Sequence, residues 1–95
     1  MSAENVWAVP ERLDIPGIRE VLAQARQAIA ARRLQFDFAA VRQVDSSALA
    51  LILACQREAG RAGGQLVCLN LPDNLHSLAR LYGVDALIDG KGQSA

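Results

Sequence analysis

Ninety-five residues with 52% hydrophobic content make one small domain with room for a single modest core. Ten basic and ten acidic side chains give a formal net charge of zero, and the basic residues, all Arg except Lys91, are interspersed with acids; this argues against direct binding of nucleic acid or an anionic membrane. No run of about 18 apolar residues marks a membrane span, and the opening MSAENVWAV has neither the charged start nor the long apolar centre of a secretion signal, so the expected location is the cytoplasm.

In chain order, residues 5–9 read as a short strand that Pro10 ends, because proline has no N–H for the ladder; the strand is expected at or near a sheet edge. From Ile15 onward, Ile18, Leu22, Ala25 and Ile29 recur at helical spacing between polar residues. They predict an amphipathic helix with Asp14 as N-cap and Pro16 in its first turn. Leu34, Phe36 and Phe38 alternate with Gln35 and Asp37, the period of a strand with one face toward the core. A second helix is predicted over residues 47–62, ended by Gly60, Gly63 and Gly64, and residues 65–69 form an apolar run that suits a central strand. Leu71-Pro72-Asp73-Asn74 is a turn into a third helix carrying Leu75, Leu78, Ala79 and Tyr82, which Gly83 closes. Leu87 and Ile88 are expected to add a last strand, and residues 90–95 a frayed polar tail.

This alternation implies an α/β fold over residues 1–95: a small mixed, mainly parallel sheet of about four strands, with three helices largely on one side. The second helix stands apart. Its segment Ala48-Leu49-Ala50-Leu51-Ile52-Leu53-Ala54-Cys55 is apolar around the whole circumference, whereas a helix lying on a sheet needs only one apolar stripe. Either the first and third helices cover the remainder, or a partner does.

Chemistry centres on Asp45-Ser46-Ser47, where a strand runs into this helix. Free N–H groups at a helix start donate to a capping side chain or a phosphoryl group, so Ser46 or Ser47 is expected to cap, and Asp45 reads as a loop-fixing or capping carboxylate. No catalytic inventory accompanies them. His76 is the only histidine, no Gly-rich phosphate loop or G-x-S-x-G elbow is present, and Cys55 and Cys68 lack the spacing of a zinc site and read as buried thiols. The expectation is a non-enzyme without cofactor or metal.

Val44-Asp45-Ser46-Ser47-Ala48-Leu49-Ala50, the Gly63-Gly64 turn before Leu66-Val67, and Leu78-Ala79-Arg80-Leu81-Tyr82 resemble a STAS domain, the module of anti-sigma factor antagonists. Within that family the chain is similar to the small STAS subunit of the bacterial Mla system, a phospholipid-transporting ABC complex that maintains outer-membrane lipid asymmetry. Three departures accompany the likeness: Ser47-Ala48-Leu49 replaces the usual small residue followed by Gly-Leu, Glu11-Arg12-Leu13-Asp14 stands where Gly-Glu-Leu-Asp is usual, and the opening hairpin is expected to be shortened.

The resemblance implies an interaction module docking on the cytoplasmic ATPase subunit of an ABC transporter, peripheral to the inner membrane through that partner and not inserted in it. The contact residues read from the chain are Asp45, Ser46, Ser47, Leu49, Ile52, Leu53, Leu81 and Tyr82. An alternative implied by the same likeness is an anti-sigma factor antagonist, released from a partner serine kinase when Ser46 is phosphorylated. A third reading is a homodimer with the apolar second helix as its seam.

Overall fold

The computed structural model describes residues 5–88. Strand β1 (Val6–Ala8) leads to β2 (Arg12–Leu13), a 3-10 turn (Ile15–Gly17) and helix α1 (Ile18–Ala30); β3 (Gln35–Asp37), β4 (Gln43–Val44) and helix α2 (Ser46–Arg61) follow. The chain continues through β5 (Val67–Leu69), α3 (Asp73–Leu81) and the four-residue helix α4 (Asp85–Ile88). A three-stranded sheet has the order β1-β3-β5, and β2 pairs with β4 in a second ladder. Every pairing among the described residues is parallel.

Two successive right-handed crossovers that step in the same direction put their helices on one face, which is how α1 and α2 come to lie side by side. The register aligns Trp7, Phe36 and Cys68 across the three strands, and the Trp7 and Phe36 rings meet edge-on with centroids 4.7 Å apart. Phe36, Phe38, Leu13, Ile29, Ile52 and Leu75 are the largest fully buried side chains. Alternate positions on β1, β3 and β5 point the other way: Val6, Asp37 and Leu69 are half-buried there, and Ala8, Gln35 and Val67 exposed.

Four expectations are corrected. Residues 65–69 contribute an edge strand, not a central one; β3 is central because the two crossovers leave β1 and β5 on its flanks. The segment Asp85–Ile88 is helical instead of extended, following the turn at Gly83 (φ 73°) with an acidic residue at its start. Asp14 does not cap the first helix: its carboxylate pairs with Arg12 at 2.8 Å. The N-cap of α2 is Asp45 itself, and neither Ser46 nor Ser47 holds that position. The expected tail, residues 90–95, lies outside the described residues.

Helix α2 packs between α1 on one side and α3 and α4 on the other. Ala48, Leu49, Leu51, Ile52, Cys55 and Ala59 are buried, yet Ala50 is exposed and Leu53 and Ala54 are half-buried. Neighbouring helices therefore cover most of its apolar circumference and leave a strip uncovered.

Candidate functional site

The site is built on the start of α2, where β4 delivers Asp45 in extended conformation (φ −137°, ψ −171°). One carboxylate oxygen, Oδ1, accepts hydrogen bonds from the Ser47 backbone N–H at 2.9 Å and from the Ser47 hydroxyl. The other, Oδ2, accepts from the Ile15 N–H at 3.1 Å, thirty residues earlier in the chain. A single side chain thus satisfies free N–H groups at the heads of both the 3-10 turn before α1 and α2. These bonds favour the ionised carboxylate. The Ser47 hydroxyl leads in holding the Asp45 carboxyl below its ordinary value, against a smaller opposing effect of burial, and the Ser47 and Ile15 N–H groups add to the lowering.

The cap has a geometric consequence. It pins the backbone of Ile15, whose side chain is 70% exposed, beside the head of α2. The two hydroxyls also part company: Ser47 is half-buried and turned to Asp45, while Ser46 is exposed as the first residue of the helix.

Two apolar grooves flank the uncovered strip of α2. One, toward α3, is lined by Ser46, Leu49, Ala50, Leu53, Tyr82 and Val84 around a volume of about 280 Å³. Of its lining residues Tyr82 is 58% exposed, and Leu81, the residue before it in the chain, is 76% exposed. The other groove runs between α1 and α2 and has Ile18, Leu22, Ser47, Ala50, Leu51 and Ala54 among its lining residues. Ala50 belongs to both, so this strip is a low ridge between two hollows.

The thiols lie apart from this surface. Burial pushes Cys55 up to about 11 and Cys68 up to about 12, which keeps both protonated and poorly nucleophilic at neutral pH. Among the described residues no three His, Cys, Asp or Glu side chains group in a way that could hold a metal ion, and no helix is long and apolar enough to cross a membrane.

Comparison with known families gives a match over residues 2–89 to the model described as "Mlab, STAS domain". The chain belongs to that family. None of the curated proteins compared with the chain matches it. Membership in the STAS family suggests a non-catalytic interaction or regulatory module that works through protein partners.

Within this STAS domain the structure brings Ser46, Leu49, Leu53 and Tyr82 together in one groove, with Ser47 lining the neighbouring one. Asp45 stands behind them as the double cap. Ile52 is not on the surface: it is fully buried in the core, and Leu49, 4% exposed, offers the groove only its floor. Both are corrections to a surface role: Ile52 turns to the core side of the helix, and Leu49, one turn before Leu53 on the same face, is buried where Leu53 is half-buried.

Sequence reasoning missed Ile15, Leu22, Ala50 and Val84. For Ile15 a signal existed: it directly precedes Pro16, a residue suited to the first turn of a helix, and so stands ahead of the regular turns of α1 that begin at Ile18.

Proposed function

We propose that this STAS domain is a docking module that binds and stabilises or regulates the cytoplasmic ATPase subunit of a phospholipid ABC transporter of the Mla type, the complex that maintains outer-membrane lipid asymmetry. The observation that supports it is the apolar groove of Ser46, Leu49, Leu53 and Tyr82, with the exposed Leu81 next to Tyr82 in the chain, on a chain of the Mlab STAS family. Partner anchors of medium size fit such a hollow, and its polar border at Ser46 fixes orientation. The contact surface is read as Asp45, Ser46, Ser47, Leu53, Leu81 and Tyr82, joined by Ile15 and Ala50, with Leu49 beneath and Ile52 supporting from the core. The domain contributes shape and no chemistry.

Titration of the purified ATPase subunit with wild type and Ser46→Trp tests this reading. The indole fills the groove from its rim, and affinity is expected to fall by about tenfold or more while thermal unfolding stays unchanged. Equal binding by the variant, or no binding by wild type, sinks the proposal.

One observation favours a second reading, the anti-sigma factor antagonist switched by phosphorylation. The Ser46 hydroxyl is exposed at a helix N-terminus, where a phosphate is tolerated by the helix yet repels an apolar partner face. Intact-mass measurement after incubation with ATP and a candidate anti-sigma serine kinase separates the two, because only the switch requires an added phosphate on Ser46.

A further inference from the structure

The groove between α1 and α2 differs in kind from its neighbour. Its lining residues Ile18, Leu22, Ala50, Leu51 and Ala54 are apolar, but Arg19 from α1 and Arg57 from α2 stand among them, around a volume of about 370 Å³. The groove toward α3 has no charged side chain in its lining. Farther along the α1–α2 seam, Arg26 and Arg61 share the one carboxylate of Glu58, at 4.0 and 3.5 Å. Among the described residues Arg19 and Arg57 have no ion pair at all. A chain of zero formal charge has therefore placed four guanidinium groups and one carboxylate along a single seam. This is a local field that the linear order of charges conceals.

We propose that this groove receives an acidic amphipathic helix of the protein partner, its apolar side chains seated on Leu22, Ala50 and Ala54 and its carboxylates meeting Arg19 and Arg57. The inference rests on the docking reading above and adds which side of α2 carries the charge. Charge complementarity selects this occupant. Two parallel or antiparallel helices leave a trough that suits a third, and a guanidinium beside an apolar floor gains most from a carboxylate that arrives with water-excluding neighbours. A second copy of this chain fits poorly, since a two-fold contact across the seam sets like charges against each other. An anionic bilayer would meet the guanidinium groups but leave the concave apolar floor unfilled.

The test is calorimetric titration of the whole chain with the purified ATPase subunit at about 50 and about 300 mM salt, because screening separates charge from shape. Wild-type affinity is expected to fall as salt rises. Arg19→Glu/Arg57→Glu is expected to bind about tenfold or more weakly at low salt and to lose most of that salt dependence. Arg33→Glu, an exposed arginine outside this groove, is expected to bind as wild type, and all three proteins to melt together. If wild type binds and the double variant binds equally well, the acidic-helix inference falls and the docking reading stands. If wild type does not bind, both fall. Binding to phosphatidylethanolamine vesicles with roughly a quarter phosphatidylglycerol that disappears in the double variant would overturn the inference in favour of a lipid surface.

Discussion

The inner and outer faces of α2 carry nearly the same amino acids and meet opposite fates. Inward, Ala48, Ile52 and Cys55 are sealed at 0, 0 and 1% exposure; outward, Ala50 lies open and Leu53 and Ala54 are half-covered. Side-chain hydrophobicity does not distinguish them. What distinguishes them is that a sheet and two flanking helices can enclose about three sides of a cylinder, so a helix apolar all round keeps an uncovered strip. The difference teaches that the excess of apolar residues in α2 is not needed by the fold, and that its free strip lies beside the polar head formed by Asp45 and Ser46.

The largest expected effect attacks the inner face. Ile52→Ala is expected to destabilise by about 3 kcal/mol through lost burial and a residual cavity, whereas Leu53→Ala on the outer side is expected to lose less than about 1 kcal/mol. Urea unfolding of the two variants measures this, and equal losses would erase the distinction between the faces.

Next comes the polar head that borders the strip. Asp45→Ala frees the N–H groups of Ile15 and Ser47 together, so a loss of about 2 kcal/mol is expected, more than one ordinary cap contributes. A loss as small as that of an exposed surface substitution would mean that the tie to Ile15 carries no weight.

The same carboxylate sharpens the comparison through pH. Its folded value lies below the ordinary 3.8, so its stabilisation is fully present above that value and drains away as pH falls through it toward the depressed folded value. Wild type and Asp45→Ala are therefore expected to differ most at neutral pH and to draw together as the medium is acidified below the ordinary carboxylate value in melting experiments. A gap that stays constant across this range would show that ionisation of Asp45 is not involved.

The smallest effect concerns the inner face and its strand. With Cys55 raised to about 11 and Cys68 to about 12, iodoacetamide at about pH 8 is expected to leave both unmodified in the folded protein and to label both in denaturant. Rapid labelling of Cys55 in the native state would place that side of α2 in contact with solvent.

Much of this domain was legible in its linear order because the signals are local. The alternation around Phe36 and Phe38, the 3.6-residue stripe of α1 and the proline and glycine punctuation act within a few residues of where they are read. The same locality explains the errors: Leu87 and Ile88 are too short a run to separate strand from helix, and an apolar run at residues 65–69 looks alike in an edge and in a central strand. By itself the sequence determined the parallel α/β plan, the three main helices and the polar head at Asp45-Ser46-Ser47. Only the tertiary structure decided which side of α2 faces outward, that Asp45 reaches Ile15 thirty residues away, and that Arg19 and Arg57 line one groove. The physical reason is that uniform hydrophobicity carries no direction, and convergence of distant segments depends on how whole helices pack, which no local period records.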